Sequence, residues 1–349
     1  MKLLFITQKV DKNDDVLGAY HHWIEKIADR FEQVSVICLY KGKVETPGNV
    51  SVHSLGKEKG LASLRYFCNF YKFLWLLRRK YDAVLVHMNP IYVVLGSLIW
   101  KITGRSVFMW YNHPRGNFMA RLGIILSNKV FCTSPFSFAG KFNKTVVIPV
   151  GVDINIFDRH RGSSKLKNSI LCLGRISAVK NIEILIKAAE ILDSKGLDFV
   201  VNIVGGAVSE NDKKYLSEIN YLARGLTEKG KIKFLSPVAN NDTPKIYNEN
   251  DIFVNLTPTG SFDKSIIEAM ACGTPVLVSN KTLELFFPDD IKKVCMFEEN
   301  NPQDLANKIL DLLSTPESFK DKLGENLREI VVRRHSLDNL MDKLLIYIK

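Results

Sequence analysis

The residues best able to do chemistry fall in three short stretches of the second half of this 349-residue chain. In "CLGRISAVKN" (172–181), Gly174 and Arg175 directly follow an apolar run, and Lys180 stands just before a helical pattern. Glycine permits close backbone approach, and two cations beside a helix start suit an anion such as a diphosphate. The same spacing suits a surface loop with two solvated cations equally well. In "VNIVGGAVSEND" (201–212), Gly205 and Gly206 close the next apolar run. A glycine pair admits a ligand there, but many strand ends carry glycine. The third stretch is "TPTGSFDKSIIEAMACGTPVLVSN" (257–280). Asp263 reads as the N-cap of a helix whose first-turn amides are free. Lys264 and Glu268 lie four apart on one helix face. A half-buried glutamate one turn inside such a helix can accept hydrogen bonds from vicinal hydroxyls, as a ribose presents. By itself, the pair reads as an ordinary intrahelical Lys–Glu contact.

These residues need elements to position them, and the sequence supplies two sets. Along residues 1–150, strand-length apolar runs recur ("KLLFIT", "VSVICLY", "VSVHSL", "AVLVHM", "SVFMWY", "KVFCTS", "TVVIPV"), mostly separated by segments of helical spacing. The rhythm restarts after residue 168 with "SILCLG", "FVVNIVGG", "KIKFLS", "DIFVNL", "PVLVS" and "VCMF". Continuous apolar strands alternating with helices predict parallel sheets covered on both faces. The expected fold is therefore α/β, with two Rossmann-like doubly wound domains: residues 1–150, residues 151–333, and a C-terminal helix (334–349) returning to the first. Ligands of such sheets bind beyond the carboxyl ends of the strands, and paired domains bind in the cleft between them.

Composition narrows the class. The 46% apolar and 24% charged content is that of a globular protein, and the length suits two domains. Six scattered cysteines argue against a disulfide framework or zinc site and suit a reducing cytoplasm. The five-residue apolar run at the N-terminus reads as a first strand, and "IYVVLGSLIW" is too short to span a bilayer. The net charge of +11 is lopsided: residues 1–150 hold 21 basic and 9 acidic residues. Nucleic acid, an anionic membrane or acidic substrates are the partners that such charge admits.

Together, "GRISAVKN", "IVGG" and "GSFDKSIIEAMACGTPVLVS", in this order, resemble the nucleotide-sugar domain of the retaining family 4 glycosyltransferases (glycosyl transferases group 1) of GT-B fold. "IPVGVDINIF" (148–157) is similar to that family's interdomain segment. The resemblance is strong over about residues 145–335 and looser before them. It implies that Arg175 and Lys180 neutralise the diphosphate as the sugar bond breaks, where preorganised cations lower a barrier most. It implies that Glu268 binds the ribose, and that Gly174, Gly205, Gly206, Gly260 and the amides around Ser261, Phe262, Asp263 and Lys264 hold sugar or phosphates. The family often has a second glutamate eight positions before the ribose-binding one. Here that position is Gly260, so Asp263 is expected to take over a polar contact. In "WYNHP", His113 stands where the family often has a histidine near the transferred sugar. "QKVDKNDDVLGAYHHWI" (8–24) stands where the family has an acceptor-side loop, which makes Gly18, His21 and His22 acceptor-side candidates. His87 in "VHMNP" also follows a strand, with less support. The sequence has no Asp-x-Asp metal site, so the expected reaction is metal-independent and uses no cofactor, the nucleotide sugar being a substrate.

In "LASLRYFCNFYKFLWLLRRKY" (61–81), Leu64, Phe67, Tyr71, Leu74 and Leu77 have the spacing of a face packed on the sheet. The excess aromatics and the Arg78–Lys80 run suggest loose attachment to an anionic membrane. The expected protein is a retaining glycosyltransferase, cytoplasmic and peripheral on the inner membrane face. It moves a sugar from a nucleotide-diphosphate donor to a glycan or lipid-linked glycan of a surface polysaccharide or glycoconjugate. Two other readings are a GT-B enzyme acting on the nucleotide sugar itself, as an epimerase does, and a basic nucleic-acid binder. The latter is disfavoured because no RNA-reading motif is present.

Overall fold

A computed structural model describes residues 1–14, 17–160, 165–260 and 262–349. The chain divides into two compact units, Met1–Gly151 with Leu337–Lys349, and Val152–Ser336.

The first unit runs β1 (Lys2–Val10), α1 (Ala19–Ala28), β2 (Gln33–Lys41), β3 (Val50–Ser54), α2 (Ser63–Leu77), β4 (Ala83–His87), α3 (Pro90–Ile102), β5 (Ser106–Trp110), α4 (Phe118–Leu126), β6 (Lys129–Cys132) and β7 (Thr145–Val147). Its seven strands are all parallel, in the order β3-β2-β1-β4-β5-β6-β7. Leu3, Leu4, Phe5 and Ile6 are all fully buried because helices cover both faces of the sheet. Alternate side chains of a strand point to opposite faces. Leu3 and Phe5 accordingly join one apolar cluster with Trp23 and Ile24 of α1, while Leu4 and Ile6 join another with residues of α2, α3 and α4.

The face that α2 buries agrees only in part with the one its spacing suggests: Leu74 and Leu77 belong to both. Phe70, Leu74 and Leu77 are buried, whereas Leu64 is 73% and Phe67 45% exposed. Tyr71 is half-buried and donates its hydroxyl to the Leu95 carbonyl at 2.9 Å. Apolar residues at almost every position give this helix two overlapping stripes. Contact with the sheet and with α3, where Phe70 meets Tyr92 at 5.2 Å, selects one.

The second unit runs β8 (Leu166–Leu173), α5 (Ile182–Ser194), β9 (Val200–Val204), α6 (Glu210–Leu222), α7 (Arg224–Glu228), β10 (Ile232–Leu235), α8 (Thr243–Glu249), β11 (Asn250–Asn255), α9 (Lys264–Ala271), β12 (Val276–Val278), α10 (Asp289–Cys295), α11 (Pro302–Leu313) and α12 (Glu317–Arg334). Its sheet is parallel, in the order β10-β9-β8-β11-β12. "VCMF" forms no strand. Pro288 leads into α10, with Asp289 and Asp290 in the first turn where a helix favours acids, and the helix continues to Cys295. The rest meets the sheet edge only as an isolated bridge of Met296 to Val278, with the Phe297 N–H donating to the Val278 carbonyl at 3.1 Å.

The last helix, α13 (Leu337–Ile348), belongs to the first unit. Leu337, Leu340, Met341, Leu344 and Ile348 form one buried stripe in the cluster that holds Trp23 and Ile24. Asp338 lies 3.1 Å from Arg30 and 3.4 Å from Lys26 of α1.

Candidate functional site

The second unit gathers its polar residues beyond the carboxyl ends of β8, β9 and β11. Gly174 follows β8 with φ +144°, and Gly205 follows β9 with φ +151°. A Cβ at Gly205 would lie 1.9 Å from the Gly174 carbonyl oxygen, so the two strand ends approach this closely only through glycine. The Gly206 carbonyl accepts the Ile176 N–H at 2.9 Å and fixes the loop carrying Arg175. Arg175 is exposed; burial would raise the nearby Asp212 carboxyl, but hydrogen bonds from Ser209, aided by the Arg175 charge, hold it low. A shallow depression is lined by Gly174, Arg175, Lys180, Val204 and Asn255.

Lys180 is not the solvated cation that its spacing allows. Its ammonium is ion-paired to Asp263, 83 residues away in sequence, and lies 3.4 Å from the Thr257 hydroxyl. Oδ2 of Asp263 also accepts from Asn255 Nδ2 at 2.8 Å and Thr257 Oγ1 at 3.1 Å. Asp263 caps α9 through the Ser265 N–H as well, a long contact at 3.4 Å. Burial would raise this carboxyl, but Lys180, Asn255 and Thr257 outweigh it and hold the group at about 2. Its Oδ2 is thus committed to positioning Lys180, while Oδ1 holds, among the described residues, only the long contact to the Ser265 N–H.

Glu268 is only 4% exposed, more deeply set than the half-buried residue its pattern predicts. Oε1 accepts from Asn240 Nδ2 at 3.1 Å and Oε2 from the Tyr247 hydroxyl at 3.3 Å. Each carboxylate oxygen can accept a second hydrogen bond, so capacity for two hydroxyls remains. Lys264 lies 3.9 Å away on the same helix face. Burial pushes the Glu268 carboxyl up, with Lys264 opposing, and burial lowers the Lys264 ammonium, with Glu268 and Asp153 opposing.

Gly260 is buried with φ +104°, a left-handed backbone that favours glycine over the family's glutamate. Phe262 buries its ring against Phe286 and His335, with centroids 5.8 and 5.9 Å apart, so only its main chain is free to meet a ligand. Ser261 lies outside the described residues.

The remaining candidates belong to the first unit. Gly18 stands just before α1 with an ordinary helical backbone, φ −56°. His21 is 1% exposed, with Nε2 accepting the Glu45 N–H at 3.2 Å and Nδ1 3.2 Å from Glu25. Burial lowers its pKa, Glu25 opposing. It is a packed structural histidine, not one facing an acceptor. His22 is half-buried, with Nδ1 2.9 Å from the same Glu25. His87 is also buried, among Tyr20, Trp23 and Trp110. His113 is exposed beyond β5. Its Nδ1 lies 2.6 Å from the Arg115 carbonyl and 3.1 Å from the Arg115 N–H. One tautomer donates to the former and the other accepts from the latter, and either leaves Nε2 facing away from this turn.

Asn240, Tyr247, Asn255 and Thr257, which hold Glu268 and Asp263, escape the motif reading. Thr257 and Asn255 flank the exit of β11, a place that topology alone marks for inspection. Asn240 and Tyr247 carry no local signal. Among the described residues no group of three or more His, Cys, Asp or Glu is placed to hold a metal ion.

Two parallel α/β units, with polar groups gathered at the carboxyl ends of the second unit's strands, define a GT-B protein. The structure is similar to that of Anabaena HepE in complex with UDP and glucose, with a TM-score of 0.77 and 20% identity, covering 99% of this chain and 98% of that one. Residues 153–330 match the profile of the family described as "Glycosyl transferases group 1", and the chain belongs to that family. It is 28% identical over 200 residues to the alpha-monoglucosyldiacylglycerol synthase of Streptococcus pneumoniae (strain ATCC BAA-255 / R6), covering 53% of this chain. That match spans only 43% of the relative's own length. The chain is 26% identical over 281 residues to the capsular polysaccharide biosynthesis glycosyltransferase CapM of Staphylococcus aureus, covering 75% of this chain and 71% of CapM.

Proposed function

We propose that this protein moves a sugar from a nucleotide-diphosphate donor to a glycan or lipid-linked glycan, with retention of configuration and without a metal ion. The observation that carries the reading is the convergence of Arg175, the Lys180–Asp263 pair and Glu268 at one end of the second unit's sheet. In this reading Arg175 and Lys180 receive the charge that builds on the diphosphate as the glycosidic bond breaks, work that a bound divalent cation does elsewhere. Lys180 arrives already oriented by Asp263, so little reorganisation is needed as that charge develops. Glu268 accepts hydrogen bonds from the ribose hydroxyls, and the strand-end glycines let the main chain approach the phosphates. Retention follows if the acceptor attacks from the face that the diphosphate leaves, the departing phosphate taking the acceptor's proton. His113 in the first unit is the candidate to orient the transferred sugar.

The UDP and glucose bound by HepE support a nucleotide-sugar donor, and the names of CapM and the diacylglycerol synthase support a glycan or glycolipid acceptor. The test is a panel of nucleoside diphosphates and nucleotide sugars scored by thermal shift, with Arg175→Ala and Glu268→Ala alongside. One base should raise the wild-type Tm by several degrees, and both variants should lose most of that rise. A wild type stabilised by no nucleotide rules the reading out. Anomeric analysis of the product then decides retention.

A further inference from the structure

Residues 61–147 hold twelve Lys and Arg but one acidic residue, Asp82. The surplus equals the net charge of the entire chain, +11. Asp82 is already engaged, accepting the Lys2 N–H at 2.8 Å and lying 3.4 Å from Arg105. The segment contains α2, α3 and α4, which lie side by side on one face of the seven-stranded sheet. Tyr71 bonds α2 to α3, and Gly123 of α4 lies against Pro90 of α3.

The outer sides of these helices are apolar as well as basic. Leu64 and Trp75 on α2 are 73% and 67% exposed, Leu98 and Ile102 on α3 are 68% and 76%, and Phe118 and Ile125 on α4 are 72% and 56%. Single exposed apolar side chains need no explanation, but six large ones on three adjacent helices mark an interaction surface. Basic side chains lie among them: Arg78 stacks on the Trp75 ring at 4.1 Å, Lys101 precedes Ile102, and Arg121 follows Phe118 three residues on, on the same side of α4. Among the described residues no helix is long and apolar enough to cross a membrane.

We infer that the outer face of α2, α3 and α4 docks on the surface of an anionic lipid bilayer, with Trp75, Leu98 and Ile102 entering the headgroup boundary and the surrounding Lys and Arg meeting acidic headgroups. Apolar side chains mixed with Lys and Arg are what an interfacial surface requires. A second copy on this face would set one strongly basic surface against another. Trp75 and Phe118 would offer an RNA rings to stack on, but it would also have to cover Leu98, Ile102 and Ile125, which offer bases nothing. The inference concerns the first unit alone and stands whether or not the proposed glycosyl transfer does.

The experiment mixes the full chain, without nucleotide, with vesicles of phosphatidylcholine or of an equal mixture of phosphatidylcholine and phosphatidylglycerol. Sedimentation and tryptophan emission are the readouts. Trp23, Trp100 and Trp110 are buried, so a change in emission reports Trp75. The expected result is co-sedimentation with the anionic vesicles only, a blue shift, and weakening by salt. Arg78→Glu/Arg79→Glu and Leu98→Ser/Ile102→Ser should each reduce binding at least tenfold with Tm unchanged, since these side chains are exposed. Equal binding of variants and wild type overturns the inference. So does failure of the wild type to bind anionic vesicles, whether it then dimerises through this face or binds RNA. Failure of the nucleotide panel would leave this result untouched.

Discussion

Asp263 does two jobs that the sequence shows separately: it caps α9, and it holds Lys180 from the other side of the strand ends. Its carboxyl sits at about 2, below the ordinary aspartate value, so folding gains stability that is present above about pH 4 and lost as pH falls towards 2. Asp263→Asn should therefore cost about 2 kcal/mol near pH 7, and the difference from wild type should shrink steadily below pH 4. Urea unfolding at several pH values checks this, and a difference independent of pH would refute it. Glu268 makes a separate prediction. If it binds a ribose diol, removing one hydroxyl from the stabilising nucleotide should cost the wild type about 1.5–3 kcal/mol, the range for hydrogen bonds to a charged group. In Glu268→Gln the same deletion should cost only about 0.5–1.5 kcal/mol, the range for neutral hydrogen bonds. Calorimetry with the 2′- and 3′-deoxy analogues measures both; equal affinities for diol and deoxy forms in the wild type would remove Glu268 from the ribose. Arg175, Lys180 and Glu268 were legible as candidates because helix spacing and strand ends mark them. Their partners were not, since Asn240 and Tyr247 reach Glu268 from α8 and its approach, 28 and 21 residues away.

At the scale of elements, the seven strands of the first unit and the first five of the second could be read directly. A parallel strand covered on both faces must be apolar throughout, and that signal is local. "VCMF" mimics it but is short, and α10 with its acidic start captures half of it, Val294 and Cys295, for a helix. The buried face of α2 was read correctly at Leu74 and Leu77 but not at Leu64 and Phe67: two apolar stripes overlap, and only packing on the sheet and α3 chooses between them. The helix α13 offers a clean test of how an element contributes. Leu340 is fully buried, and truncating such a side chain leaves a cavity as well as losing transfer energy. Leu340→Ala should destabilise the protein by about 2–5 kcal/mol, read from the urea midpoint. A cost under about 0.5 kcal/mol would mean that α13 is not held in this cluster.

At the scale of the molecule, the two units differ in charge and in site. The whole excess of positive charge lies on the first, while the motifs at 172–181, 201–212 and 257–280 lie on the second. Hydrogen exchange with the stabilising nucleotide should show protection centred on 172–181 and 257–270. Protection centred on α1 and α2 instead would place the nucleotide in the first unit. The sequence by itself determined two parallel α/β units, the family and the basic half, because apolar runs, motif order and charge are all properties of contiguous segments. The tertiary structure alone decided that Lys180 is bound to Asp263, that His21 is buried, and that α2 turns Leu64 and Trp75 outward. Each of these depends on which side chains from distant segments meet, and no local spacing encodes that.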